Sequence, residues 1–155
     1  MGLLAAYAVP HPPLIVPAVG QGQEEAIPET VAAYEEIAQR VAAADPDIIV
    51  IASPHAPLYR DGFFISNADK ETGSMAPFGQ PQTTIATRGD GEFAQAVADR
   101  LARRSIPAAA APAAQTEIDH GAFVPLHVLA QTVDLAAAPV LRAGLSALPP
   151  PAHHS

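Results

Sequence analysis

The sequence predicts an α/β fold, and three observations carry that prediction. Ile48-Ile49-Val50-Ile51-Ala52 is a continuous β-branched run, the pattern of a strand buried on both faces. A helical period precedes it: Val31, Tyr34, Ile37, Ala38 and Val41 fall on one face of a segment from Glu24 to Ala44. A second apolar run, Leu3 to Val9, precedes that helix and reads as another buried strand. Strand, helix and strand in this order form a right-handed crossover. It makes the two strands parallel and brings their C-terminal ends to the same sheet edge.

The helix is expected to be regular from about Glu29, because Pro28 fits only its first turn. Glu24, Glu25 and Glu29 cluster near its start, where they complement the helix dipole. Asp45-Pro46-Asp47 ends it. Phe63 to Ser66 and Thr83 to Thr87 read as further strands, with Ala68 to Gln82 as a loop rich in glycine and proline. Gly91 to Arg104 reads as a second amphipathic helix with Phe93, Val97 and Leu101 on one face. Pro107 to Pro112 reads as an exposed Ala/Pro linker. Gly121 to Gln131 reads as helical or mixed, and Val140 to Leu145 as a strand. The tail 149–155 has no folding pattern, so its His153 and His154 are given no function.

Composition narrows the function classes. The chain of 155 residues is 49% hydrophobic and 15% charged, which suits a globular domain with a real core. Sixteen acidic residues against eight basic ones give a formal net charge of -8, so neither nucleic acid nor an anionic membrane surface is an expected partner. No cysteine is present, which excludes disulfides, thiolate metal ligands and cysteine nucleophiles. The N-terminus lacks a basic region, its apolar stretch breaks at Pro10, and no apolar run is long enough to span a bilayer. A cytoplasmic location is the expectation.

The chemistry concentrates in the histidines. His11 stands in Pro10-His11-Pro12-Pro13-Leu14-Ile15-Val16-Pro17, where four prolines forbid a helix interior or a central strand. His55 stands in Ser53-Pro54-His55-Ala56-Pro57, directly after the second strand. Open α/β sheets bind ligands at the C-terminal edge of their strands. Proline on either side stiffens each loop, so His11 and His55 are candidates for two imidazole ligands on one ion. Two imidazoles and one carboxylate suit non-haem Fe(II) and leave positions for oxygen and substrate. Read singly, each is also an ordinary polar residue in a proline-rich loop.

His120 follows Asp119, and a carboxylate at its side can raise an imidazole's pKa into the range of a general acid or base. The same residues also read as a helix start with Asp119 as N-cap, and spacing alone favours that reading. His127 lies seven residues further on and fits an ordinary helix position. Arg60 is expected to pair with Asp61 at the surface.

Three segments together resemble one family. They are Val9-Pro10-His11-Pro12-Pro13-Leu14-Ile15-Val16-Pro17, Ile51-Ala52-Ser53-Pro54-His55-Ala56-Pro57, and Asp119-His120-Gly121 with Val124-Pro125-Leu126. The chain resembles the LigB-type catalytic subunit of class III extradiol ring-cleavage dioxygenases over residues 3–148. It is most similar to the branch associated with AMMECR1 domains and Memo-like proteins. The resemblance implies a mixed, largely parallel central sheet flanked by helices. It implies iron ligation by His11 and His55, with His120 in the pocket for proton transfer or substrate binding. A catechol-type aromatic and O2 are the implied substrates, Fe(II) the implied cofactor with Zn(II) as the alternative, and an AMMECR1-type protein a candidate partner. The family's third ligand, a glutamate, comes from a C-terminal part that nothing here matches. The expectation is therefore a LigB-like domain over 1–148, truncated at its C-terminal side and prone to self-association, followed by an unstructured tail over 149–155. The alternatives are a non-catalytic Memo-like metal- or ligand-binding protein and an inactive truncated product.

Overall fold

The computed structural model describes residues 2–112 and 117–149. The central sheet holds β1 (Ile49–Ser53), β6 (Val140–Gly144), β2 (Phe63–Ser66) and β5 (Ala108–Ala111), in that spatial order. β1 and β6 run parallel, from Ile49 opposite Val140 to Ser53 opposite Gly144. β2 and β5 are also parallel, while β6 meets β2 antiparallel. The sheet is therefore mixed and mostly parallel, with helices on both faces, as the α/β expectation requires.

α2 (Pro28–Ala44) buries Tyr34 and Ala38 from its apolar stripe. It follows the short helix α1 (Pro17–Gly20). α4 (His120–Leu129) is apolar nearly all round and packs against α2 and β1. A helix of that kind belongs inside the protein, and Gly121 to Leu126 are all buried. α3 (Gly91–Ala102) covers the opposite face, where its Ala94 and Ala98 meet Ile65 and Leu141. Its N-cap is Asp90, whose carboxylate accepts the Phe93 N–H at 2.9 Å.

Four sequence expectations need correction. Leu3 to Val9 forms no strand; Leu3 is 86% and Leu4 65% exposed. An apolar run forms a strand only where a ladder partner satisfies its backbone, and the parallel partner of β1 is β6. The predicted pair of parallel strands joined by α2 is thus replaced by a pair far apart in sequence. β1 is not buried on both faces either. Ile49 and Ile51 pack into the core under α4, whereas Val50 points the other way and is 61% exposed.

The expected loop 68–82 is mostly an antiparallel hairpin of β3 (Lys70–Met75) and β4 (Gln80–Arg88). Its breakers have positions that a strand tolerates. A Cβ on Gly73 would come within 2.8 Å of Ile118, so glycine permits that approach. Pro81 sits at the register shift between Ser74 and Met75, where no ladder hydrogen bond needs its missing N–H. Finally, the expected linker 107–112 contains β5, whose alanines pair with β2 beneath α3. The tail histidines His153 and His154 lie outside the described residues.

One charged residue sits in the middle of this sheet. Arg142 on β6 is 1% exposed, on the same face as Ile51 of β1. Its Nη2 donates to Glu71 Oε1 at 2.6 Å, and its Nε lies 3.1 and 3.3 Å from the two oxygens of that carboxylate. Glu71, 3% exposed on β3, also accepts the Ser66 hydroxyl at 3.0 Å. This pair docks the hairpin onto the sheet. Removing one member of a buried pair strands the other charge, at a cost of about 3–5 kcal/mol. Arg142→Met is therefore expected to lower the unfolding free energy by about that much in urea titration. Adding Glu71→Leu is expected to restore most of the loss. A single-variant loss of only about 0.5 kcal/mol, typical of a surface site, would contradict this role.

Candidate metal centre

Two loops and the start of a helix deliver three histidines to the C-terminal end of β1. His11 stands in an extended segment where Pro12 has φ -65° and ψ 126°. The 3-10 turn Pro13–Ile15 follows, anchored by buried Ile15 and Val16. On the other side, the Tyr34 hydroxyl of α2 donates to the Pro10 carbonyl. The loop is thus fixed by packing after His11 and by a hydrogen bond before it.

His55 lies two residues beyond the end of β1. Its backbone N–H donates to the Ser53 hydroxyl oxygen at 3.1 Å. That serine is fully buried and donates its own proton to Asp119. His120 is the first residue of α4, and Asp119 caps the helix by accepting the Ala122 N–H at 3.2 Å.

The side chains converge. The Nε2 atoms of His11 and His55 are 3.1 Å apart. Ring centroids of His55 and His120 are 4.1 Å apart, and those of His11 and His120 are 5.5 Å apart. One ring nitrogen from each residue falls within 4.8 Å of the others. Two imidazole nitrogens bound to one ion at about 2.1 Å stand roughly 3.0–3.4 Å apart for ordinary ligand angles. The His11–His55 pair therefore has the spacing of two ligands on one divalent cation. Phe78 stands edge-on to His120 at 5.3 Å and forms an apolar wall.

The environment of His120 corrects one expectation. Its pKa lies below the ordinary 6.5, first because burial penalises the cation and then because His55 and His11 repel it. Asp119 acts in the opposite direction and does not prevail. Asp119 has partners of its own: Oδ1 takes the Ser53 hydroxyl and the Ala122 N–H, while Oδ2 faces Arg142 Nη1 at 3.4 Å. The carboxylate belongs to these partners rather than to the imidazole. A neutral His120 has a lone pair to offer.

The remaining sequence candidates lie elsewhere. His127 stacks on Phe123 and is outside the three-histidine group, its pKa lowered by burial. Arg60 and Asp61 are exposed and form no ion pair among the described residues. Sequence reasoning missed Tyr34, Ser53, Glu71, Arg142 and Phe78. Arg142 carried a usable signal, because an arginine inside Val140-Leu141-Arg142-Ala143-Gly144 requires a buried carboxylate. Tyr34 gave none beyond its place in an apolar stripe.

The family model for the catalytic LigB subunit of aromatic ring-opening dioxygenase matches residues 5–154. The chain belongs to the LigB family. A curated protein of Clostridium acetobutylicum is 29% identical over 136 residues. That match covers 83% of this chain and 29% of the relative, so the chain spans under a third of the relative's length. LigB membership places the chain in the superfamily of aromatic ring-opening dioxygenases. No helix among the described residues is long and apolar enough to cross a membrane.

The Tyr34 contact generates a pH prediction. Burial raises its phenol pKa from 10.0 to about 12. Above pH 10 the unfolded chain ionises Tyr34 while the folded chain keeps it neutral, so stability falls progressively up to about pH 12. Tyr34→Phe is expected to flatten that part of the profile and to cost about 1 kcal/mol at pH 7 for the lost hydrogen bond. An alkaline melting profile unchanged by Tyr34→Phe would refute the assignment.

Proposed function

We propose that this LigB-family chain binds Fe(II) through His11 and His55 for the oxygen-dependent opening of a catechol-type ring. The observation that supports this reading is the 3.1 Å approach of two imidazole Nε2 atoms from loops 44 residues apart. Two basic nitrogens converge in this way to share a proton or to face a cation. The third histidine beside them and the family membership favour the cation.

When bound, Fe(II) would supply electron exchange with O2 and Lewis acidity toward the diol oxygens. The protein's own share follows from its side chains. The stiff loops of His11 and His55 hold the donors in place before any ion arrives, which reduces the entropy lost on binding. His120, kept neutral by burial and by its two histidine neighbours, can accept a proton from a substrate hydroxyl. Phe78 offers an aromatic ring beside His120.

A second reading, metal binding without ring opening, has one observation in its favour. The metal-capable group among the described residues contains three histidines and no carboxylate. Both oxygens of the nearest acid, Asp119, are already engaged.

Anaerobic Fe(II) titration followed by exposure to catechols and O2 separates these readings. One weakly bound equivalent is expected in the wild-type chain, since two neutral imidazoles leave the ion's charge uncompensated, and it is expected to be lost in His11→Ala and in His55→Ala. His120→Ala is expected to retain iron. Where the wild type forms yellow ring-opened product, His120→Ala should lower the rate by about 100-fold or more, the usual scale for a general acid-base residue. Binding without product would favour the second reading. Iron loss in His120→Ala would make that residue a third ligand.

A further inference from the structure

We propose that Ser53 and Asp119 form a positioning bridge that fixes the spacing between His55 and His120, clamped from behind by Arg142 and Glu71. The inference deepens the metal-centre reading and rests on it. A single buried hydroxyl makes the connection. Its oxygen accepts the backbone N–H of His55 at 3.1 Å, and its proton goes to Asp119 Oδ1. The same Oδ1 caps the helix that begins with His120. The two histidines thereby depend on one hydrogen-bonded node, although they stand on separate elements.

The node is held in the protein frame by charge. Arg142 Nη1 faces Asp119 Oδ2 at 3.4 Å, and the rest of its guanidinium is fixed on Glu71. With its partners on strands β3 and β6, the bridge cannot shift without disturbing buried ions. Packing supports the same conclusion. A Cβ on Gly121 would overlap the Ser53 hydroxyl and lie 3.1 Å from both His55 Cδ2 and Asp119 Oδ1. Glycine therefore lets the start of α4 press directly against the His55 loop. Asp119 acts here through backbone placement and is a positioning residue. Removing partners that orient metal ligands commonly weakens metal affinity by about 10–100-fold.

The test uses the full chain with Ser53→Ala and, separately, Gly121→Ala. Nuclear Overhauser contacts between the His55 and His120 ring protons are recorded without metal, Fe(II) affinity is measured anaerobically, and the metal-free melting temperature is followed. The wild type should show the ring contact. Ser53→Ala should weaken or lose it and bind Fe(II) about tenfold more weakly, while melting within a few degrees of wild type. Gly121→Ala should move both readouts in the same direction from the opposite side of the bridge. Unchanged ring contacts in Ser53→Ala would overturn the proposal. So would an affinity loss that only tracks the loss of folded protein. Should the wild type take up no Fe(II), the metal reading falls, and the ring contacts still decide whether the bridge positions the pair. A Ser53→Ala chain that fails to fold leaves that decision to Gly121→Ala, where wild-type ring contacts would overturn the proposal.

Discussion

A guanidinium with almost no solvent must be paired, and most of this structure is arranged around that requirement. Arg142 stands on β6 between its neighbours β1 and β2. Burying its charge alone would cost several kcal/mol. Glu71 meets it from the hairpin and Asp119 from the cap of α4. These contacts bring the hairpin and the apolar helix onto the sheet, and the helix start arrives beside the loop after β1. The network thereby sets His120 beside the His55 loop, while the Pro10–Ile15 segment brings in His11 independently. A buried pair of this kind adds little net stability, because desolvation offsets much of the attraction.

Much of this was legible in the residues, and the failures have physical causes. Periodicity located α2 and α3, because one-sided burial writes itself into helical spacing. The β-branched run at Ile49 located β1, and the arginine-interrupted run at Val140 located β6. Pairing was not legible. That β1 lies beside β6 is a long-range choice, and no local pattern distinguishes it from pairing with Leu3 to Val9. β5 was hidden because a run of alanines has weak strand preference and gains its place only by fitting under α3. The hairpin was hidden because Gly73 and Pro81 read as breakers until a close approach and a register shift explain them.

The site shows the same division. The proline-flanked histidines stood out in the sequence, and the structure brings them together, although only His55 follows a strand. Their support was largely silent. Ser53 looks like any residue before a proline, and Tyr34 like any member of an apolar stripe. Asp119 was read as a helix cap, which it is, yet its second oxygen also answers to Arg142. The pull of Asp119 on His120 is present but is outweighed by burial and by the repulsion of His55 and His11.

The proposed metal centre takes its imidazole donors, His11 and His55, from two loops 44 residues apart. X-ray absorption at the iron edge of the anaerobically Fe(II)-loaded chain tests it most directly. Ligation by His11 and His55 gives a shell of at least two imidazole nitrogens at about 2.1 Å, with the outer-ring scattering that imidazoles produce. This scattering is expected to diminish in His55→Ala. A shell of oxygen atoms alone, or a spectrum unchanged by His55→Ala, would contradict that ligation.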